Sequence, residues 1–370
     1  MTRLDALYLE HGQSPWIDNI RRDWLNDGTL RNLIDRGVRG VTSNPSIFAK
    51  ALATSSQYDD AISHSKARGA EQLFEELAVA DVQVACDLLK EVHQASNREF
   101  AAGVHRYSDG FVSLEVSPRL AHDTAATVSA AERLAERVGR RNLMIKIPAT
   151  PAGLGAISAV LAQGINVNVT LIFSLERYGQ VMDAYLEGVR DASESGRDIN
   201  SISSVASFFV SRVDTAADPM LERDPSLLGV TANAQVAVAY QMYLERFDRS
   251  DARELLAAGA QVQRPLWAST STKNPAYHEL LYVEPLVANE SVNTMPEATL
   301  TAFEDHGDLT SPSIDDEVIR RRYVEQFNLL SSAIDLNSVT AQLEIEGVRA
   351  FESSYGELLQ TVDDKLASSK

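Results

Sequence analysis

The sequence predicts an α/β fold, a single closed (β/α)8 barrel with additional helices at its C-terminal end. Three observations carry this prediction. Eight short β-rich runs alternate with longer segments of helical period. Strand–helix alternation builds a parallel sheet with crossover helices, and eight repeats favour closure over an open sheet. A hydrophobic content of 44% over 370 residues is ample for a large core, and no linker or fixed-period repeat divides the chain. One domain is therefore expected over residues 1–370, with a helical extension from about residue 308.

The strand candidates are residues 14–20, 37–44, 110–116, 143–149, 165–173, 201–210, 265–270 and 292–294. Asp27 and Gly37 bracket a first helix, with a capping residue at its start and a glycine at its end. Asp123 can cap residues 124–138, which Gly139 closes. Ser174 can cap residues 175–192. Residues 231–247 read as another helix, and 277–281 and 296–303 as shorter ones. Beyond the eighth strand, residues 315–330 and 339–366 read as two further helices packed on the barrel.

Composition narrows the function. Lys and Arg number 34 against 52 Asp and Glu, a formal charge of −18. The field of such a chain repels nucleic acid and anionic lipid, so neither is an expected partner. A phosphorylated small substrate would need a locally basic site. No apolar run approaches the roughly 20 residues of a membrane span. Residues 1–6 contain no apolar signal core. The one cysteine, Cys86, has no intrachain partner and lies in the helical run 82–89, where it reads as a small buried hydrophobe. A cytoplasmic location is expected.

Several chemistries lack their motifs. No His-Glu-x-x-His or paired Cys-x-x-Cys occurs and the seven histidines are scattered, so neither metal nor other cofactor is expected. No Gly-x-Ser-x-Gly elbow or Walker loop is present. Gly153-Leu154-Gly155-Ala156-Ile157-Ser158 faintly resembles a dinucleotide loop, but its third glycine is missing and no acidic residue ends the next strand. It reads better as a tight βα turn.

Polar residues appear where parallel strands should be apolar. In Ile165-Asn166-Val167-Asn168-Val169-Thr170-Leu171 the alternation is strict, so Asn166, Asn168 and Thr170 share one face. The apolar face suits the helix layer, which leaves the polar face for the barrel lumen. Phe111, Ser113 and Glu115 share a face in the third run. Asp18, Asn44 and Arg212 stand at or just after three others. These positions fall toward the C-terminal strand ends, where barrel enzymes carry their active sites. A solvated antiparallel strand is the plainer alternative for residues 165–171.

Lys146 is central to this set. Of seven lysines, only Lys146 lies inside an apolar strand, Leu143-Met144-Ile145-Lys146-Ile147-Pro148. An ammonium in a buried strand is costly unless paired, and desolvation favours the neutral, nucleophilic amine. Schiff-base lysines are activated in this way. A structural ion pair with Glu115 or Asp18 would account for the same residue.

Five segments together resemble the transaldolases: Thr42-Ser43-Asn44-Pro45-Ser46, Val112-Ser113-Leu114-Glu115-Val116, Met144-Ile145-Lys146-Ile147-Pro148, the run from Gly164 to Ser174, and Ser207-Phe208-Phe209-Val210-Ser211-Arg212. The likeness spans nearly the whole chain. It is nearest in style to the longer bacterial branch, including the type fused to phosphoglucose isomerase, for which 370 residues leave no room. The resemblance implies a cytoplasmic, cofactor-independent transferase of the non-oxidative pentose phosphate pathway. Such an enzyme moves a dihydroxyacetone unit from sedoheptulose 7-phosphate or fructose 6-phosphate to glyceraldehyde 3-phosphate or erythrose 4-phosphate. It implies Lys146 as the imine-forming lysine, Asp18 as the acid/base at the C4 hydroxyl, and Glu115 with Thr170 as holders of a water. Asn44 and Asn168 then bind the dihydroxyacetone unit, Ser207 and Phe209 line the pocket, and Arg212 binds phosphate. A monomer or a homodimer fits equally well.

One departure stands out. Better-known relatives place a second phosphate-binding arginine just after the seventh strand, where this chain reads Ala268-Ser269-Thr270-Ser271-Thr272-Lys273-Asn274. Ser269 and Lys273 are expected to take its place, although Lys273 also reads as a solvated loop lysine. Three rivals stay open. A fructose-6-phosphate-type aldolase would release free dihydroxyacetone. A non-catalytic sugar-phosphate-binding barrel would not need Lys146. A glycoside hydrolase using Asp18 and Glu115 would leave Lys146 unexplained.

Overall fold

Eight parallel strands pair in chain order and close into a barrel, β8 against β1, in the computed structural model, which describes residues 1–368. They are β1 Ser14–Ile17, β2 Gly40–Val41, β3 Val112–Glu115, β4 Leu143–Pro148, β5 Val167–Ile172, β6 Ser204–Phe209, β7 Gln263–Ala268 and β8 Val292–Met295. Each falls within or overlaps one expected run. The paired segments are shorter than the apolar runs because parallel ladders stop where the chain turns toward its helix. Asn44 thus does not end a strand: it follows β2 and caps the helix Pro45–Thr54, its side-chain oxygen accepting from Ile47 N at 3.0 Å. Likewise Arg212 lies in the first turn of the helix Ser211–Leu221.

The first capping expectation fails: Asp27 ends the short helix Arg22–Asn26, and Gly28, not Asp27, is the N-cap of Thr29–Asp35. The later capping signals hold. Asp123 caps Thr124–Val138 and Gly139 ends it with φ of 60°, the left-handed geometry that glycine adopts at no steric cost. Ser174 caps Leu175–Glu194, and Thr231–Phe247 and Glu297–His306 are helical. Residues 277–281 are not helical but form turns. There Asn274 Oδ1 accepts from Ala276 N at 3.0 Å and His278 Nδ1 from Leu280 N at 3.3 Å. Such side-chain bonds to the backbone compete with the helical ladder. Four α-helices, Pro45–Thr54, Asp59–His64, Ala70–Leu88 and Lys90–Ala101, separate β2 from β3 where one would complete the repeat. Cys86 is buried within the third of them, where desolvation raises its thiol pKa and keeps it protonated.

Gly153 is inside the first turn of the helix Pro151–Ala162. A Cβ there would come within 1.9 Å of the Pro148 carbonyl oxygen, so the glycine serves a tight strand-to-helix connection. The two expected tail helices are Glu317–Ala333 and Leu336–Ser368. The longer one packs on Pro45–Thr54, Ala70–Leu88, Ser211–Leu221 and the end of β5. It thereby crosses the C-terminal mouth of the barrel. No described helix is long and apolar enough to cross a membrane.

A buried polar network occupies the opposite, N-terminal end. Asp109 is fully buried and accepts from Ser14 Oγ, from Trp16 Nε1 at 2.9 Å and from Arg39 Nε at 3.0 Å. Arg264, also buried, stands 3.5 Å from it and donates to the Ser291 carbonyl at 2.6 Å. Burial acts to raise the Asp109 pKa, but Arg264, Arg39 and the hydrogen bonds from Ser14 and Trp16 together hold the carboxyl low. Removing one partner from such a group strands a buried charge, at about 3–5 kcal/mol. This end of the barrel is built for stability.

Candidate active site

The strand register sets the centre of the site. Glu115 on β3, Lys146 on β4 and Asn168 on β5 are Cα partners in one row. Lys146 is 5% exposed. Its Nζ donates to the Ser43 carbonyl at 3.1 Å and stands 3.9 Å from Glu115 Oε2. A charge-assisted hydrogen bond is nearer 2.8 Å, so the Glu115 contact does not tie up the amine. Beneath it, Asn168 donates to Ser113 Oγ at 2.9 Å and accepts from Ser207 Oγ at 2.7 Å. Both Asn168 amide atoms are therefore engaged, and Asn168 fixes Ser207 at the pocket wall.

Two other members of the expected lumen set lie elsewhere. Phe111 precedes β3 and packs edge-on against His93, ring centroids 4.9 Å apart. Asn166 precedes β5 and braces the N-terminal end, donating to the Arg141 and Leu143 carbonyls and accepting from Ser203 N. Alternation cannot continue through residues outside the ladder, which is why both were misplaced.

Two acids flank the amine. Burial raises the Asp18 pKa, opposed by the Lys146 charge, by a hydrogen bond from Thr42 Oγ1 at 2.7 Å, and by Lys273. Burial pushes Glu115 up to about 7, with Lys146 lowering it and Asp18 adding to the rise. A carboxyl in that range can both give and take a proton near neutrality. Glu115 Oε2 and Thr170 Oγ1 are buried and have no hydrogen-bond partner in the protein. Both are thus available to a small polar group beside the amine.

A cavity of about 340 Å³ opens above Lys146. Asp18, Asn44, Ser207, Phe209, Arg212, Ser269 and Lys273 line it, whereas Glu115, Asn168 and Thr170 are not among its lining residues. Since the Asn44 oxygen caps the helix, its amide NH2 is the group left for a ligand. Arg212 lies over the Phe209 ring at 5.4 Å, and burial lowers its pKa. Burial also lowers that of Lys273, aided by Arg212 and opposed by Asp18. Ser269 adopts φ of 58° and its Oγ meets Ser211 Oγ at 3.0 Å, bracing the turn that carries Arg212.

Several lining residues carried no site assignment from the sequence, among them Lys50, Thr42, Thr294 and Phe351. Lys50 follows Ser46 by four residues on the helix Pro45–Thr54, so both face the cavity; that i,i+4 spacing was a usable signal. Thr42 and Thr294 steady Asp18, their hydroxyls 2.7 Å apart. Phe351 arrives from the C-terminal helix, its ring 5.9 Å from Lys146 Nζ, with no local signal. Among the described residues, Lys50, Arg212 and Lys273 make no ion pair, although the chain is strongly acidic. An anion is the complement of such a rim. No group of three or more His, Cys, Asp or Glu arranged to hold a metal stands among the described residues.

Fold and pocket define a class of protein: a (β/α)8 barrel equipped for amine chemistry on a small anionic molecule. The family model described as transaldolase/fructose-6-phosphate aldolase matches residues 15–362. A transaldolase of Saccharopolyspora erythraea is 48% identical over 100% of this chain and 99% of its own. That of Mycolicibacterium smegmatis is 49% identical over 97% and 96%, and that of Mycobacterium tuberculosis 50% over 94% and 93%. The chain belongs to the transaldolase/fructose-6-phosphate aldolase family. It is an enzyme, and its activity is that of a transaldolase, a transferase.

Proposed function

We propose that Lys146 is the nucleophile of this activity, and that the substrates are a ketose phosphate donor and an aldose phosphate acceptor. The observation that carries the reading is a buried amine facing a cation-rimmed cavity with Asp18 and Glu115 beside it. Lys146 attacks the ketose C2 carbonyl. Glu115 and Thr170 hold the water that moves protons as the carbinolamine dehydrates. The protonated imine is an electron sink, so no metal or other cofactor is required. Asp18 then takes the C4 hydroxyl proton, the C3–C4 bond breaks, and an aldose phosphate leaves. The acceptor aldehyde enters and the steps reverse, with Asp18 returning the proton.

Asn44, Asn168 and Ser207 hold the dihydroxyacetone unit, Phe209 forms an apolar wall, and Arg212, Ser269 and Lys273 receive the phosphate. Sedoheptulose 7-phosphate or fructose 6-phosphate is the donor, and glyceraldehyde 3-phosphate or erythrose 4-phosphate the acceptor, in the non-oxidative pentose phosphate pathway. The chain works as one barrel domain over residues 1–370, extended by helices from about residue 308, in the cytoplasm, as a monomer or homodimer. A charge of −18 supports partners that are small molecules rather than nucleic acid or membrane.

Borohydride reduction with fructose 6-phosphate, followed by peptide mass mapping, tests the nucleophile. A three-carbon adduct on Lys146 is expected; an adduct on another lysine, or none, overturns the assignment. Lys273→Ala is expected to raise KM for the phosphorylated donor several-fold while leaving kcat nearly unchanged, because it removes binding common to ground and transition states. An unchanged KM would return Lys273 to the status of a solvated loop residue.

A further inference from the structure

We propose that Phe351 shields the dihydroxyacetone intermediate on Lys146 from water, and so sets the partition between transfer to an acceptor and release of free dihydroxyacetone. The proposal rests on Lys146 being the nucleophile. Phe351 belongs to the helix Leu336–Ser368, not to a barrel loop. It is 6% exposed, lines the cavity, and places its ring 5.9 Å from Lys146 Nζ. Phe209 is the other aromatic side chain of that cavity.

The helix is fastened on both sides of Phe351. Glu344 pairs with Arg177 at 3.3 Å, Ser354 accepts from Ser46 at 2.9 Å, and Tyr355 donates to Glu71 at 3.0 Å. Its depth is set one turn earlier, by Gly347. A Cβ there would lie 3.1 Å from Phe173 Cε2 and 3.2 Å from Leu171 Cδ2. Phe173 in turn packs against Phe209, ring centroids 5.0 Å apart. The absence of a side chain at Gly347 thus lets the helix settle onto the end of β5 and carries Phe351 to the amine.

After C3–C4 cleavage the three-carbon unit remains on Lys146 as an enamine. Release needs a proton at C3, then a water oxygen at C2, after which the C2–Nζ bond breaks. One water is consumed, and dihydroxyacetone and the free amine result. Transfer forms its new C–C bond at C3 before any of these events, and only the product imine is then hydrolysed, as the reverse of its formation. An apolar ring that keeps water from the enamine until the acceptor has added therefore favours transfer.

The test compares the unmodified enzyme with Phe351→Ala, Phe351→Leu and Gly347→Ala. Dihydroxyacetone release from fructose 6-phosphate alone is measured against transfer to erythrose 4-phosphate. Phe351→Ala is expected to raise the release-to-transfer ratio by about tenfold or more, since water gains access to C2. Phe351→Leu, which refills most of the space, stays near the original ratio. Gly347→Ala strengthens intrinsic helix propensity, so it guards against simple unfolding; it lifts the helix and raises the ratio by less. Borohydride still yields a Lys146 adduct in all variants. An unchanged ratio in Phe351→Ala and Gly347→Ala, with that adduct intact, overturns the shielding role alone. Absence of the adduct in the unmodified enzyme overturns the underlying assignment instead.

Discussion

Lys146→Met is expected to lower transfer by at least about 10^4-fold, the scale on which removal of a covalent nucleophile is felt. Methionine nearly matches lysine in length and is apolar, so it fills a site that is 5% exposed without opening a cavity. Loss of the ammonium leaves no orphaned carboxylate. Lys146 lowers the pKa of both Glu115 and Asp18 against a dominant effect of burial, so both carboxyls shift toward the protonated form when the amine is gone. The variant should therefore fold, and its defect should be chemical. Lys50 and Lys273 line the same cavity but are exposed at its rim, and neither has Glu115 beside it. Transfer is measured with donor and acceptor, and borohydride trapping is repeated on the variant. Residual transfer within about tenfold of the original, or an adduct on Lys50 or Lys273, would show that the nucleophile lies elsewhere.

The parts of this site that the sequence displayed are those governed by local periodicity. In β5 the alternation of Asn168 and Thr170 with Val167 and Val169 is a two-residue repeat, and it located the lumen. Lys146 was visible because a charge inside an apolar strand violates the composition expected there. Asp123, Gly139 and Ser174 marked helix ends through bonds spanning three or four residues. What escaped depends on contacts between distant segments. Arg264 and Asp109 meet across the N-terminal end of the barrel, and neither neighbourhood hints at the other. Phe351 meets Lys146 from a helix far along the chain, whose Gly347 lies against Phe173. Turns around Asn274 replaced an expected helix because two side chains captured the backbone amides. The four α-helices between β2 and β3 lengthen one crossover without altering barrel closure, so the eight-strand count remained correct while that segment was under-read.

Asp18→Asn is expected to slow transfer by about 10^2- to 10^4-fold, the usual contribution of a positioned acid/base, while leaving imine formation in place. Asparagine is nearly isosteric, and its oxygen can still accept from Thr42 Oγ1, which donates to Asp18 at 2.7 Å. Geometry is thus preserved and only proton affinity is lost. The roles of the two acids then separate experimentally. Glu115 beside the amine serves formation of the imine; Asp18 serves cleavage at C3–C4. In Asp18→Asn the imine forms on Lys146 but cannot expel its aldose phosphate. Borohydride should trap the intact six-carbon phosphorylated chain of fructose 6-phosphate instead of the three-carbon unit. The adduct mass therefore reports which step has stopped, which a rate alone cannot. A three-carbon adduct appearing at the original rate would remove Asp18 from the cleavage step. Failure to trap any adduct would move Asp18 to imine formation, the step assigned to Glu115. In either case the division of labour between the two carboxyls, and not the identity of the nucleophile, would have to be redrawn.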